Sequence, residues 1–133
     1  MSRENVETIK RACEAWGTGD ISVYREMYAD DVIAYAGSLA PEVTGELEGK
    51  DRIMDILESL LETFDHSELL PGEFLEDGDV VVVPMLMRAR PHGSSATIEW
   101  RLAVAYRFRD GLIVRQSWHP TREEALQAVG LSG

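Results

Sequence analysis

Residues 96–119 decide the fold, and they read ATIEWRLAVAYRFRDGLIVRQSWH. Apolar or aromatic side chains occupy every even position from Ile98 to Phe108, and several odd positions are charged. This two-residue period is typical of a half-buried β-strand. Asp110-Gly111 predicts a tight turn into a second strand, Leu112 to His119. The same alternation places Leu112, Val114, Gln116 and Trp118 on the inner face of the sheet and Ile113, Arg115, Ser117 and His119 on the outer face.

Helical patterns flank this hairpin on both sides. Apolar residues at spacings of three and four from Val6 to Trp16 predict a first helix. Asp20 is suited to cap a short second helix, which buries Met27. The strongest helical periodicity runs from Ile53 to Phe64, and a capping box at Thr121-Arg122-Glu123-Glu124 predicts a short helix near the end.

Strand-like runs fill much of the remainder, at Val32 to Ala36, Leu69 to Glu76 and Val80 to Arg90. A loop from Gly37 to Gly49 is long enough to act as a lid or rim. The order of elements predicts an α+β fold, in which a curved, mixed, mostly antiparallel sheet forms a cone. Three N-terminal helices pack against this sheet, and a short helix ends the chain. We expect one domain over residues 1–133.

The run from Val80 to Arg90 is apolar on both faces. If Arg88 and Arg90 face outward, alternation leaves Val80, Val82 and Leu86 on the outer face as well. An apolar outer face of this kind requires cover. A second copy of the chain is the simplest cover, and it predicts a homodimer through the outer sheet face.

Composition excludes several classes of function. The chain has 133 residues, of which 44% are hydrophobic, and a formal charge of -11. Such a charge repels polyphosphate, so we expect neither a nucleic-acid partner nor an anionic membrane surface. No apolar run of about eighteen residues exists that could span a membrane. The single cysteine, Cys13, cannot form an internal disulfide, which favours a reducing, cytoplasmic compartment.

Charge is spread unevenly along the chain. Residues 1–79 contain 20 Asp or Glu against 6 Lys or Arg, whereas residues 80–122 contain 7 Arg against 2 acidic residues. Either the two parts attract one another, or the second part attracts an anionic ligand.

Three segments resemble the nuclear transport factor 2-like superfamily, which includes ketosteroid isomerase, limonene epoxide hydrolase and the SnoaL-like polyketide cyclases. They are Trp16-Gly17-Thr18-Gly19-Asp20, Met27-Tyr28-Ala29-Asp30-Asp31-Val32 and Phe108-Arg109-Asp110-Gly111-Leu112-Ile113-Val114. The segments mark helix ends and turns, so they indicate a fold rather than an activity. The resemblance implies a deep apolar pocket between sheet and helices, a homodimer through the outer sheet face and usually no cofactor.

Catalytic residues of the superfamily are mostly replaced at the matching positions. The tyrosine, base and protonated aspartate of ketosteroid isomerase match Ala12, Ala36 and Val104. The aspartate on the last strand of the epoxide hydrolase matches Trp118. For the SnoaL-like cyclases, only His119 can stand in for the histidine near the end of the last strands.

Five residues are candidates for ligand binding. Trp16, Trp100 and Trp118 come from a helix end and two strands, so they either line one cavity and stack a flat apolar ligand or pack the core. Gln116 is a neutral polar residue predicted to face inward, where its amide needs a partner or a ligand. Met27, on the buried side of the second helix, completes the set.

His119 and Tyr35 are the candidates for proton transfer. A histidine at a strand end can exchange protons near neutral pH, and a tyrosine hydroxyl can donate to a carbonyl oxygen. The three histidines lie in separate regions with no cysteine cluster, so we expect no metal site and no cofactor.

The sequence therefore predicts a protein with a pocket for a small hydrophobic molecule. One hypothesis is a cofactor-independent isomerase, cyclase or hydrolase that acts on a carbonyl compound through His119 and Tyr35. The alternative is a non-catalytic ligand-binding protein or a dimeric scaffold whose tryptophans line or fill the cone. The missing inward carboxylate slightly favours the alternative.

Overall fold

A computed structural model describes residues 2–37 and 45–131. Within these residues the helices are α1 (Ser2–Thr18), α2 (Tyr24–Met27), α3 (Lys50–Glu62) and α4 (Arg122–Ala128). None of them is long and apolar enough to cross a membrane. The strands are β1 (Tyr28–Tyr35), β2 (Glu46–Glu48), β3 (Phe64–Pro71), β4 (Leu75–Asp77), β5 (Val80–Pro91), β6 (Ile98–Arg109) and β7 (Leu112–His119).

All seven strands form one curved, unclosed sheet in the order β2-β1-β7-β6-β5-β3, and β4 also pairs with β5. β1 runs parallel to β7, and the other pairs are antiparallel. Residues of α1, α2 and α3 pack on one side, here called the inner face, and α4 packs on the opposite, outer face. The predicted α+β fold, with its mixed, mostly antiparallel sheet and short C-terminal helix, is confirmed.

Strand alternation places the inner residues of β5 and β6 as predicted, with Val83, Val104 and Tyr106 in the core. At the start of β7 the predicted alternation is wrong. Arg107 pairs with Arg115 but Phe108 pairs with Ile113, so β7 carries one extra residue. This β-bulge turns Ile113 into the core and leaves Leu112 exposed, because one added residue reverses the faces of those that precede it.

The C-terminal helix covers part of the outer sheet face. Val80 and Val82 pack there with Ala125 and Leu126 of α4. The helix begins as the capping box predicts, because the Thr121 hydroxyl accepts a hydrogen bond from the backbone N–H of Glu124 at 3.2 Å. The expectation that a second copy covers these valines is therefore wrong, since the chain turns back after β7 and supplies its own cover.

The predicted lid or rim from Gly37 to Gly49 lies partly outside the described residues, which omit residues 38–44. The remainder of that segment contains β2, which pairs with β1 through Ile33 and Glu48. β1 itself begins at Tyr28, four residues before the predicted start, because Tyr28 already pairs with Ile113 of β7.

Ion pairs join the basic and acidic parts of the chain. Arginines from residues 80–122 meet carboxylates from residues 1–79 at N–O distances from 2.9 to 3.6 Å. The two parts therefore attract one another, although each exposed pair contributes little to stability. The pairs are Arg88–Glu68, Arg107–Asp79, Arg109–Asp31 and Arg115–Glu46.

His92 links the turn between β5 and β6 to the end of α3. Its Nε2 contacts the backbone carbonyl of Glu62, and its Nδ1 contacts the carboxylate of Asp65. Because both partners accept hydrogen bonds, they favour the imidazolium and raise the pKa of His92 above its ordinary 6.5. The same hydrogen bond from His92 lowers the pKa of Asp65 below 3.8.

A His92→Gln variant should therefore lose thermal stability in a defined pH window. A histidine with a raised folded-state pKa adds stability below its unfolded pKa, and this stability is lost as pH rises through the folded value. Asp65, with a lowered pKa, adds stability above its unfolded pKa and loses it as pH falls. We expect the Tm difference between native and variant protein to be largest between about pH 4 and about pH 6.5, and to disappear as pH rises through the raised folded-state pKa of His92. A difference independent of pH would contradict the imidazolium assignment.

Candidate functional site

The sheet separates the predicted site residues into two groups. An inner cavity lies between the inner face and the helices α1 to α3, and it is lined by Trp16, Met27, Gln116 and Trp118. An outer groove lies on the opposite face beside α4, and it is lined by Tyr35 and His119. Gln116 also borders the outer groove, but the other residues predicted to bind a ligand do not share a site with those predicted to transfer protons.

The inner cavity is nearly filled by the chain's own side chains. Its open volume is about 30 Å³, which is room for one or two water molecules. Leucine and methionine side chains from α3, β3, β5 and β6 form much of the wall. The apolar and sulfur-containing lining consists of Ala12, Cys13, Met27, Leu57, Leu60, Leu69, Met85, Met87, Leu102 and Val104.

Two tyrosine hydroxyls of this cavity already donate hydrogen bonds to acceptors of the protein. Tyr24 donates to the backbone carbonyl of Ala12 at 2.7 Å, and Tyr28 donates to Oε1 of Gln116, also at 2.7 Å. Burial raises the pKa of both phenols, so they stay protonated and act as donors. The Tyr28 bond, together with burial, fixes the Gln116 amide in one orientation on β7.

The hydroxyl of Tyr106 differs from these two in its hydrogen bonding. Among the described residues no acceptor bonds it, although Tyr106 is only 5% exposed. The amide nitrogen of Gln116 and Nε1 of Trp118 also lack an acceptor in that part of the chain. No fully buried side-chain polar atom there is unsatisfied, so each of these three donors retains some accessible surface. Burial raises the pKa of Tyr106 well above 10, which keeps its proton available for donation.

A proton acceptor of ordinary basicity is missing from the cavity wall. Its described lining contains no Asp, Glu, His, Lys or Arg. Burial raises the pKa of the Cys13 thiol to about 12, so this group is neutral near pH 7 and a poor nucleophile. The cavity can therefore donate hydrogen bonds to a ligand, but it offers no general base.

The three tryptophans do not share one cavity. Trp16 lines it, and its indole N–H donates to the hydroxyl of Ser67 at 2.8 Å. Trp118 lines it from β7. Trp100 points to the inner face, as alternation requires, but it is 36% exposed and packs on Phe64 with ring centroids 5.9 Å apart. It lies near the start of β6, where residues 98–101 are all exposed.

The outer groove has an open volume of about 490 Å³, and both polar and apolar residues line it. Tyr35 lies directly beside Ser117 in the parallel pairing of β1 with β7, and Nε2 of His119 is 2.7 Å from the Ser117 hydroxyl. Partial burial lowers the pKa of His119, and the carboxylate of Glu124 opposes this shift. His119 is therefore neutral near pH 7. The two predicted proton-transfer residues are neighbours, but a sheet separates them from the cavity.

A surface recess of about 620 Å³ adjoins the inner cavity, between α1 and residues 68–74. The recess and the cavity share Cys13 and Leu69 in their walls. Lys10 and Phe74 both line the recess, and the Lys10 ammonium lies 5.7 Å from the Phe74 ring centroid. These shared residues make the recess one route by which a small molecule could reach the cavity.

The sequence interpretation missed Tyr106 as a functional candidate. The available signal was a phenol at an inward, even position of β6, because a buried hydroxyl normally requires a partner. Within residues 2–37 and 45–131, no three His, Cys, Asp or Glu side chains are grouped to hold a metal ion.

Known structures with this fold cover nearly the whole chain. AclR of Streptomyces galilaeus has 18% identity and a TM-score of 0.77, with 98% of each chain covered. The polyketide cyclase candidate IdmH of Streptomyces antibioticus has 20% identity and a TM-score of 0.74, covering 96% of this chain and 99% of its own. A SnoaL-like polyketide cyclase candidate of Jannaschia sp. CCS1 has 19% identity and a TM-score of 0.73, covering 88% and 85%.

At these identities the structural neighbours establish the nuclear transport factor 2-like fold, and no curated protein matches the sequence. The sequence itself gives the family. The family model described as a SnoaL-like domain matches residues 9–116, which is most of the chain. The chain belongs to the SnoaL-like domain family.

Proposed function

We propose that this protein binds one small, neutral, mostly apolar molecule with a carbonyl oxygen in the inner cavity. The observation that carries the proposal is the buried Tyr106 hydroxyl, which no described residue accepts from. This hydroxyl retains some accessible surface beside a space of about 30 Å³, so a bound water is its only other acceptor among the described residues. A ligand oxygen would supply the missing acceptor.

The chemistry of the wall selects the ligand class. Tyr106, Gln116 and Trp118 each present a donor, and the described lining holds no charged side chain to balance an ionic ligand. Donors in an apolar wall fit a neutral acceptor such as a ketone, quinone or lactone carbonyl. A carboxylate would be desolvated there without a cation, at high cost.

The cavity must expand to admit such a molecule. Its present volume of about 30 Å³ is far below that of a one-ring compound. Met27, Met85 and Met87 lie in the wall, and unbranched methionine side chains change rotamer more readily than leucine or valine. We infer that a ligand enters beside Cys13 and Leu69 and displaces methionine side chains.

Binding is favoured over catalysis by the absence of a base from the described lining. The family includes cyclase-type proteins, and the three donors would stabilise negative charge on a carbonyl oxygen. Isomerisation or aldol cyclisation also needs a group that removes a proton. His119 and Tyr35 cannot supply that group to the cavity from the other side of the sheet.

The sequence also predicts a homodimer, and the fold restricts where a second copy could bind. α4 covers the outer face near Val80 and Val82. The apolar surface left for a second copy lies at the β3–β5 end, where Leu70 and Leu86 pair. We propose that any homodimer uses this end.

The binding proposal is tested with acetophenone and α-methylstyrene, which have the same shape but differ in the carbonyl oxygen. We expect acetophenone to bind, and Tyr106→Phe to weaken it about tenfold, the value of one hydrogen bond to a desolvated donor. Affinity for α-methylstyrene should be weaker and unchanged by the variant. Titration calorimetry measures both ligands.

Tyr24→Phe is the matched control, because its hydroxyl is already bonded to Ala12 within the same cavity. This control should leave acetophenone affinity unchanged. Equal affinities for the two compounds, equal effects of the two variants, or no binding of acetophenone would each refute the proposal.

A further inference from the structure

The outer groove combines features that the inner cavity lacks. It is large enough for a molecule of one or two rings, at about 490 Å³. It carries charged side chains, and it lies on the face of the sheet remote from the proposed carbonyl site. Apart from Tyr106 and Gln116, which border both spaces, its residues play no part in the proposed function.

Two arginines stand side by side in this groove. Arg107 of β6 and Arg115 of β7 are directly opposite one another in the antiparallel pairing, and both line the groove. Like charges at directly opposed positions destabilise a sheet unless something offsets them. Here Asp79 contacts Arg107 at 3.1 Å, and Glu46 contacts Arg115 at 3.5 Å. The second contact is long for a charge-assisted hydrogen bond, so Arg115 retains unused donor capacity.

The charge of the lining permits an anion to approach. The ionisable groups that line the groove are Glu46, Arg107, Arg115, His119, Tyr35 and Tyr106. With His119 neutral, these groups sum to one positive charge, and Asp79, which pairs with Arg107 from outside the lining, balances it. On a chain whose formal charge is -11, such a balanced site repels a small anion less than the surrounding surface does.

An apolar wall lies next to the arginines. Ala105 forms part of the floor, and Ile33 and Val129 form sides. The ring of Tyr35 is 48% exposed over the same groove, and Gly37 packs against it. These surfaces fit the flat body of an aromatic or unsaturated compound.

Beyond this wall lies a polar pair. His119 and Ser117 are joined by the 2.7 Å contact, and either side chain can both donate and accept when His119 is neutral. A hydroxyl on the ligand would find a partner there.

We propose that the outer groove is a second binding site, specific for a small aromatic carboxylate. The carboxylate lies between Arg107 and Arg115, the ring packs over Ala105 beside Tyr35, and a ring hydroxyl reaches Ser117 and His119. This site is independent of the carbonyl site in the inner cavity.

The test uses 4-hydroxybenzoate and its neutral analogue 4-hydroxybenzamide, measured by titration calorimetry at low salt. We expect 4-hydroxybenzoate to bind, 4-hydroxybenzamide to bind at least about tenfold more weakly, and Arg115→Gln to remove about tenfold in carboxylate affinity. Raising NaCl to about 0.5 M should weaken carboxylate binding several-fold, since the site is exposed.

Two further variants separate an anion site from a general effect on the surface. Glu46→Gln removes the carboxylate that competes for Arg115, so it should tighten 4-hydroxybenzoate binding. Arg101→Gln removes an exposed arginine of β6, the strand of Arg107, outside the groove, and should change nothing.

Equal binding of the acid and the amide would overturn the proposal, and so would equal effects of Arg115→Gln and Arg101→Gln. Loss of 4-hydroxybenzoate binding in Tyr106→Phe would also overturn it by placing the acid in the inner cavity. Failure of acetophenone to bind, with 4-hydroxybenzoate still bound, would reject the carbonyl site and leave this one intact. A carboxylate affinity that falls as protein concentration rises would assign the groove to a second copy instead.

Discussion

An Ala125→Glu variant should lose about 4 kcal/mol of unfolding free energy, the cost expected for an unpaired charge placed in an apolar core. Ala125 lies on α4, is 0% exposed and packs with Val80, Val82 and Ala103 on the outer sheet face. A carboxylate there would either stay buried without a partner or push α4 off the sheet. Both outcomes cost free energy, and the second also removes the cover from the apolar outer face.

Ala128→Glu is the matched control, since it makes the same change one helical turn later at an exposed position. It should cost no more than about 1 kcal/mol, the size of an unfavourable charge at a helix C-terminus. Urea denaturation followed by circular dichroism measures both variants, and light scattering detects self-association. We expect Ala125→Glu to associate, because an uncovered apolar sheet face binds other apolar surfaces. Equal stabilities would show that α4 does not cover the sheet in solution.

A Gly37→Ala variant should lose about 3 kcal/mol, from backbone strain and steric overlap together. Gly37 follows β1 and has a φ of +49°, a conformation that side-chain-bearing residues seldom adopt. An added Cβ would lie 2.4 Å from the backbone carbonyl oxygen of Trp118 and 3.3 Å from the Tyr35 ring. The carbonyl belongs to β7, so it cannot move away without disturbing the sheet.

Gly111→Ala is the control, because it carries the backbone penalty without the steric overlap. Gly111 has a φ of +82°, but no heavy atom lies within 4 Å of the position that its Cβ would occupy. It should cost only about 1 kcal/mol, the price of the backbone conformation. Chemical denaturation of both variants gives the difference. Similar losses for the two would mean that the close approach of Gly37 to β7 is relaxed in solution.

Local periodicity was sufficient to predict most elements. The spacing of apolar residues from Val6 to Trp16 and from Ile53 to Phe64 corresponds to α1 and α3, because a helix repeats every 3.6 residues whatever surrounds it. Alternation along residues 98–108 gave the inner face of β6 correctly, and Asp110-Gly111 marked the turn into β7. Such patterns depend only on neighbours within a few residues.

The phase of β7 could not be predicted in the same way. The bulge beside Phe108 depends on how β6 and β7 align, and it alone decides that Ile113 is buried and Leu112 exposed. The cover on Val80 and Val82 likewise depends on where the chain turns after His119. Each outcome depends on how two segments pack together. The residue pattern of either segment alone does not determine it.

The sequence by itself determined the α+β class, the helical faces, the inward direction of Gln116 and Trp118 and the outward direction of His119. Only the tertiary structure decided that Tyr35 and His119 lie in a groove with Arg107 and Arg115, while Tyr106 lies in a small cavity on the other face. The physical reason is that side-chain direction follows from strand alternation, which is local. The volume and wall of a site depend on how distant segments pack around it.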